Sequence, residues 1–125
     1  MNIKLLIVLL LMGGSVLSPV DNEPAYTGFI ERATCSVIQG WAADMKRPNV
    51  PIRVLVFSDG VLIESVLANQ ERKDIADYLG DDGLHGFLVA TPYPLKDSKD
   101  HTIVIKFETS DAQLVNSGLP LRCEK

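Results

Sequence analysis

The stretch Ile52-Arg53-Val54-Leu55-Val56-Phe57-Ser58-Asp59-Gly60-Val61-Leu62-Ile63-Glu64-Ser65-Val66-Leu67 decides the fold. Ile52, Val54 and Val56 alternate with Arg53, Leu55 and Phe57, so both faces are largely apolar and the strand is expected at the centre of a sheet. Asp59-Gly60 tolerates the positive φ of a tight turn, and the β-forming run that follows completes a hairpin.

Outward from this hairpin the chain keeps the same grammar. Tyr26 to Arg32 reads as a first strand and Cys35 to Ala42 as a second, with Cys35, Val37 and Gln39 on one face. Gly40 marks a bulge or a close backbone approach just before Trp41. Asp44 to Pro51 is loop chemistry. Asn69 to Leu79 changes period: Asn69 or Gln70 can cap a helix of two or three turns, and Gly80 is placed to end it. Phe87 to Ala90 is a strand stopped by Pro92 and Pro94. His101 to Glu108 alternates with Ile103, Ile105 and Phe107 inward, and Leu114-Val115 and Leu119 to Cys123 close the chain. About seven short strands at hairpin spacing with one helical turn give an all-β, antiparallel β-sandwich of immunoglobulin-like type. No internal repeat, low-complexity tract or second domain is visible, so residues 26–125 form one domain.

The start of the chain has a different composition. Lys4, the apolar run from Leu5 to Met12, and the small residues Gly13, Gly14, Ser15 and Ser18 have the layout of a secretory signal peptide, assigned to residues 1–18. The run is short for a membrane span, so none is expected in the mature chain. Residues 19–25 follow as a polar, flexible leader. The formal net charge is −4, and one unit more negative without Lys4. Such a domain lacks the basic face that nucleic acid requires. In an exported protein the pair Cys35 and Cys123 reads as a disulfide tying the second strand to the last. Closing a loop of about 88 residues stabilises by about 4–5 kcal/mol on chain-entropy grounds.

The densest polar cluster is Gly80-Asp81-Asp82-Gly83-Leu84-His85-Gly86-Phe87. Asp81, Asp82 and Asp59 could offer oxygen ligands to calcium, yet no alternating ligand run is present. The preferred reading is a turn whose aspartates bond their own backbone. His85 and His101 lack the spacing of a zinc site. No nucleophile elbow accompanies them, so catalysis by His85 with Asp82 or Asp74 is the minor reading. Arg72 and Asp74 flank a lysine and would not face each other on a helix. Asp74 is expected to reach a backbone amide or His85, and Arg72 a carboxylate or carbonyl across the loop. Trp41 reads as core rather than a sugar-stacking platform. Tyr26, Phe29 and Tyr93 are the better candidates for an exposed contact.

In order, Gly40-Trp41-Ala42-x-Asp44, Pro51-Ile52-x-Val54-x-Val56, Asp59-Gly60, Arg72-x-Asp74-Ile75-Ala76, Gly83-x-His85-Gly86-Phe87 and His101-x-Ile103-x-Ile105 span Gly28 to Phe107. This succession resembles a small bacterial accessory module found in exported surface proteins and beside glycosyltransferase and sulfotransferase domains, with no settled activity. The resemblance implies a non-catalytic β-sandwich-like module whose recurring residues hold the fold. The present chain departs from that setting by standing alone and by adding Cys35 and Cys123. The functional expectation is a secreted or periplasmic binding module for a protein or glycan partner, with no enzymatic activity, cofactor or metal. Its candidate cluster is Arg72, Asp74, His85 and Trp41. A small secreted inhibitor of a hydrolase, or a toxin-related factor, is the alternative.

Overall fold

The computed structural model describes residues 23–125. The signal-peptide assignment and residues 19–22 of the leader lie outside these described residues. Within them the strands are β1 (Tyr26–Ala33), β2 (Val37–Asp44), β3 (Ile52–Ser58), β4 (Val61–Ala68), β5 (Gln70–Glu71), β6 (Leu84–Ala90), β7 (Asp100–Phe107) and β8 (Leu119–Arg122). Helix α1 (Lys73–Leu79) separates β5 from β6. Two four-stranded sheets form, ordered β1-β2-β6-β5 and β4-β3-β7-β8. Every paired neighbour within them is antiparallel. This is the Greek-key order of an immunoglobulin-like sandwich, with β4 as the extra strand beside β3.

The core lies between the sheets. Ile30, Ile38, Ala42 and Phe87 from the first sheet meet Val54, Val56, Ile103, Ile105 and Phe107 from the second. Strand β3 is central, between β4 and β7, as its apolar character predicts. Of its apolar residues only Val54 and Val56 are buried, however, while Leu55 and Phe57 on the other face are half covered. The Lys106 ammonium lies over the Phe57 ring there, 5.1 Å from its centroid, in a cation–π contact. Tyr26, expected to be exposed, stacks on Phe107 at 4.6 Å between ring centroids.

Three boundaries near the candidate residues and the disulfide differ from the sequence reading, the first two because a long-range pairing wins over local propensity. First, neither Asn69 nor Gln70 caps the helix; Gln70 and Glu71 form β5 and pair with β6 where the chain crosses between sheets. The helix starts at Lys73, with Arg72 extended at the N-cap (φ −136°, ψ 105°). Gly80 ends it as expected, its N–H donating to Ala76 O. Second, β6 begins at Leu84 rather than Phe87, so His85 and Gly86 are strand residues. Third, Cys35 lies in the turn before β2 and Cys123 just beyond β8. The disulfide forms as expected, but it joins the β1–β2 turn to the C-terminal tail rather than strand to strand.

Candidate functional site

Alternation along β2 sends Ile38, Gly40 and Ala42 into the sandwich and Trp41 and Ala43 to the outer face. Helix α1 covers that face. Ile75 packs on Trp41 and Ala43, with Phe29 and Leu79 at the margin, forming a second small core. Trp41 is 4% exposed, in edge contact with Tyr78 and tilted against Phe29. It is therefore core, as the sequence reading preferred, but of the helix–sheet layer. Phe29 belongs to the same layer and only Tyr93 remains strongly exposed among the three aromatic contact candidates. Asp44, at the end of β2, is buried and accepts from the N–H groups of Ala25 and Lys46, with Arg47 at 2.8 Å. Burial opposes its ionisation, but those two amides and the guanidinium outweigh it and hold the carboxyl below its ordinary range.

Arg72 joins four segments. Its N–H donates to Gly83 O and its carbonyl accepts from Ala76 N–H, the first turn of α1. The guanidinium donates twice to Glu31, at 2.7 and 2.9 Å, and twice to Asp74, at 2.9 and 2.7 Å. Arg72 and Asp74 thus face each other after all, because Arg72 stands outside the helix. The β1 register slips between Ile30 and Arg32, leaving Glu31 as the extra residue of a bulge and free to turn toward the guanidinium. Donating hydrogen bonds to Glu31, and then to Asp74, raises the Arg72 pKa further. Hydrogen bonding to Arg72 lowers that of Asp74. The Arg72 stem crosses β6 at Gly86, where an added Cβ would meet its Cγ at 2.9 Å. Gly83, at φ +72°, sits against Arg72 O and the Ala76 side chain, so neither a side chain nor an ordinary backbone conformation fits.

His85 points the other way. It is wholly buried, and its Nε2 donates to Asp81 Oδ2 at 2.8 Å rather than to Asp74 or Asp82. Its Nδ1 has no hydrogen-bond partner among the described residues. Asp81 Oδ1 accepts the Gly83 N–H, and Asp82 Oδ1 accepts that of Leu84. Burial opposes ionisation of Asp81, but the Gly83 amide and His85 outweigh it and lower its pKa. Ligand atoms of Asp81, Asp82 and His85 lie within 4.8 Å of one another. Asp59, the third oxygen donor considered for calcium, is not with them; it bonds His101 at the opposite sheet. Both oxygens of Asp81 are already engaged inside the protein, which supports the turn reading over an ion site.

Two features escape the sequence reading. One is a groove of about 290 Å³ lined by Met45, Pro48, Tyr78, Leu79 and Asp81, between the β2–β3 loop and α1. Tyr78 is 72% and Met45 55% exposed on it. Nothing local in the sequence brings those two segments together. The other is His101, bonded to Asp59 through Nδ1 and to Asp97 through Nε2. The repeated spacing Asp81-x-x-x-His85 and Asp97-x-x-x-His101 is the signal that could have found it. No helix among the described residues is long and apolar enough to cross a membrane. No protein-family model, curated protein or solved structure matches this chain.

Proposed function

We propose that the protein is a non-catalytic, exported binding module, periplasmic or extracellular, that takes its partner on the groove between α1 and the β2–β3 loop. The observation that carries this reading is the pair Tyr78 and Met45, large, apolar and exposed on one concave surface. The polar candidates Arg72, Asp74, Asp81 and His85 are all engaged with one another or with the backbone, which supports a structural role for them. Export is supported by the N-terminal layout and by the disulfide.

Of the two partner classes, an apolar side chain of a protein suits the groove better than a glycan. A sugar face stacks on an aromatic ring but also asks for hydrogen bonds. The one carboxylate lining the groove, Asp81, has both oxygens occupied. The test is capture of a partner from an exported-protein fraction by the wild-type chain, compared with Tyr78→Ser and Met45→Ser. Loss of capture at an unchanged melting temperature supports the reading. Capture that survives both substitutions overturns the groove, and retention on a glycan array instead moves the partner to the sugar class. Inhibition of a purified hydrolase, lost in Tyr78→Ser, would make the partner an enzyme and the module its inhibitor.

A further inference from the structure

His101 is the second residue of β7, and its side chain is 12% exposed. Its two ring nitrogens face two different carboxylates: Nδ1 lies 2.7 Å from Asp59 Oδ2 and Nε2 lies 2.8 Å from Asp97 Oδ1. A carboxylate can only accept, and a neutral imidazole has a single N–H. A neutral ring would therefore press one lone pair against a carboxylate oxygen at hydrogen-bond distance. Only the imidazolium satisfies both contacts.

The three residues come from two separate places. Asp59 forms the β3–β4 turn at φ +52°, its N–H donating to Thr102 O and its Oδ1 accepting the Thr102 N–H. Asp97 precedes β7, and its Oδ1 also accepts the Lys99 N–H. The next residue, Ser98, donates its N–H to Cys123 O and its hydroxyl to Glu124. On β8 the residue opposite His101 is Leu121, while the neighbouring Arg122 is engaged with Asp100 and Glu124. Asp59 and Asp97 are thus the charged groups that face the ring.

We propose that His101 is a fixed imidazolium pin, holding the β3–β4 hairpin tip to the loop that anchors the stapled C-terminus, and that a rise in pH undoes it. The hydrogen bonds to Asp59 and then Asp97 raise the His101 pKa, which agrees with the geometry. The sign follows from that direction. Stability from the pin is complete below about pH 6.5, the unperturbed histidine value, and is lost as pH rises through the higher folded value. The hairpin tip carries Val61 and Leu62, at 63% and 51% exposure, so its freedom decides how that apolar surface is presented.

Histidine ¹⁵N NMR across a pH series tests the pin, read together with amide exchange at Gly60, Val61 and Leu62. The expected result is a doubly protonated His101 at neutral pH, titrating above an unstructured histidine. Asp59→Asn and Asp97→Asn should each lower that midpoint. Above the wild-type midpoint, exchange at the tip should approach that of His101→Gln, with far-UV circular dichroism unchanged. A neutral single tautomer at neutral pH overturns the proposal. So does tip exchange at neutral pH that is equal in wild type and His101→Gln. Should His101→Gln fail to fold, Asp97→Asn supplies the comparison, since it keeps the ring and removes one charged acceptor.

Discussion

Asp81 with His85, and Asp97 with His101, repeat one local arrangement on opposite sheets. In each, an aspartate accepts the N–H of the residue two positions on. Each then meets Nε2 of a histidine four positions on, the second residue of its strand. What differs is the other ring nitrogen. In His85 it is buried without a partner among the described residues, whereas in His101 it finds Asp59, brought from the far side of a hairpin. One motif therefore yields a buried pivot in the first case and a solvent-edge ionic pin in the second. A spacing pattern sets the first contact, and the tertiary fold sets the second, which decides the charge.

The largest perturbation separates the two sites through the staple. Replacing Cys35 and Cys123 by alanine should cost about 4 kcal/mol in denaturant unfolding, given the long loop the bond closes. Its effect on local amide exchange should concentrate at Ser98 and His101, which hang on the C-terminal tail, and spare the Asp81–His85 loop. Next, His85→Ala should cost about 3 kcal/mol, because it leaves the buried Asp81 carboxylate without its partner and opens a cavity. Arg72→Lys should cost about 1–2 kcal/mol, since a lysine cannot make paired contacts with Glu31 and Asp74 together. Local exchange should then rise in α1 and leave both histidine sites closed.

The smallest expected effect is a shape rather than a size. Asp81 has a lowered pKa, so its contribution is present above the ordinary carboxylate value near about pH 3.9 and lost as pH falls through the folded value. His101 has a raised one and erodes on the alkaline limb. Asp81→Asn should flatten the acid limb of a stability–pH curve and His101→Gln the alkaline limb. If both substitutions flattened the same limb, the two sites would not differ as described.

What was legible in the chain was whatever period and turn chemistry encode locally. The Asp59-Gly60 hairpin, the alternation of Ile103, Ile105 and Phe107, the stop at Gly80 and the cysteine pair all follow from neighbours or from compartment. The helix start was not legible, because β5 owes its existence to β6 and not to Asn69 or Gln70. Nor was the role of Arg72, whose partner Glu31 lies 41 residues away and is turned by a bulge that no residue type announces. His85 meets an aspartate, but that aspartate is Asp81 and not Asp74, the one considered for it. The choice between Asp74 and Asp81 depends on Arg72 standing outside the helix and claiming Asp74 for itself.

The position of the disulfide has a mechanical consequence. Cys35 is separated from the end of β1 at Ala33 by Thr34, and Cys123 immediately follows β8. Tension applied between Glu23 and Lys125 would pass from Cys35 to Cys123 through sulfur, bypassing everything threaded between them. The hairpin, both histidine sites and α1 would carry no load along the covalent path. Only β1 and its short approach could be pulled out, an extension of about 40 Å for roughly a dozen residues. The module would yield at one strand and then hold.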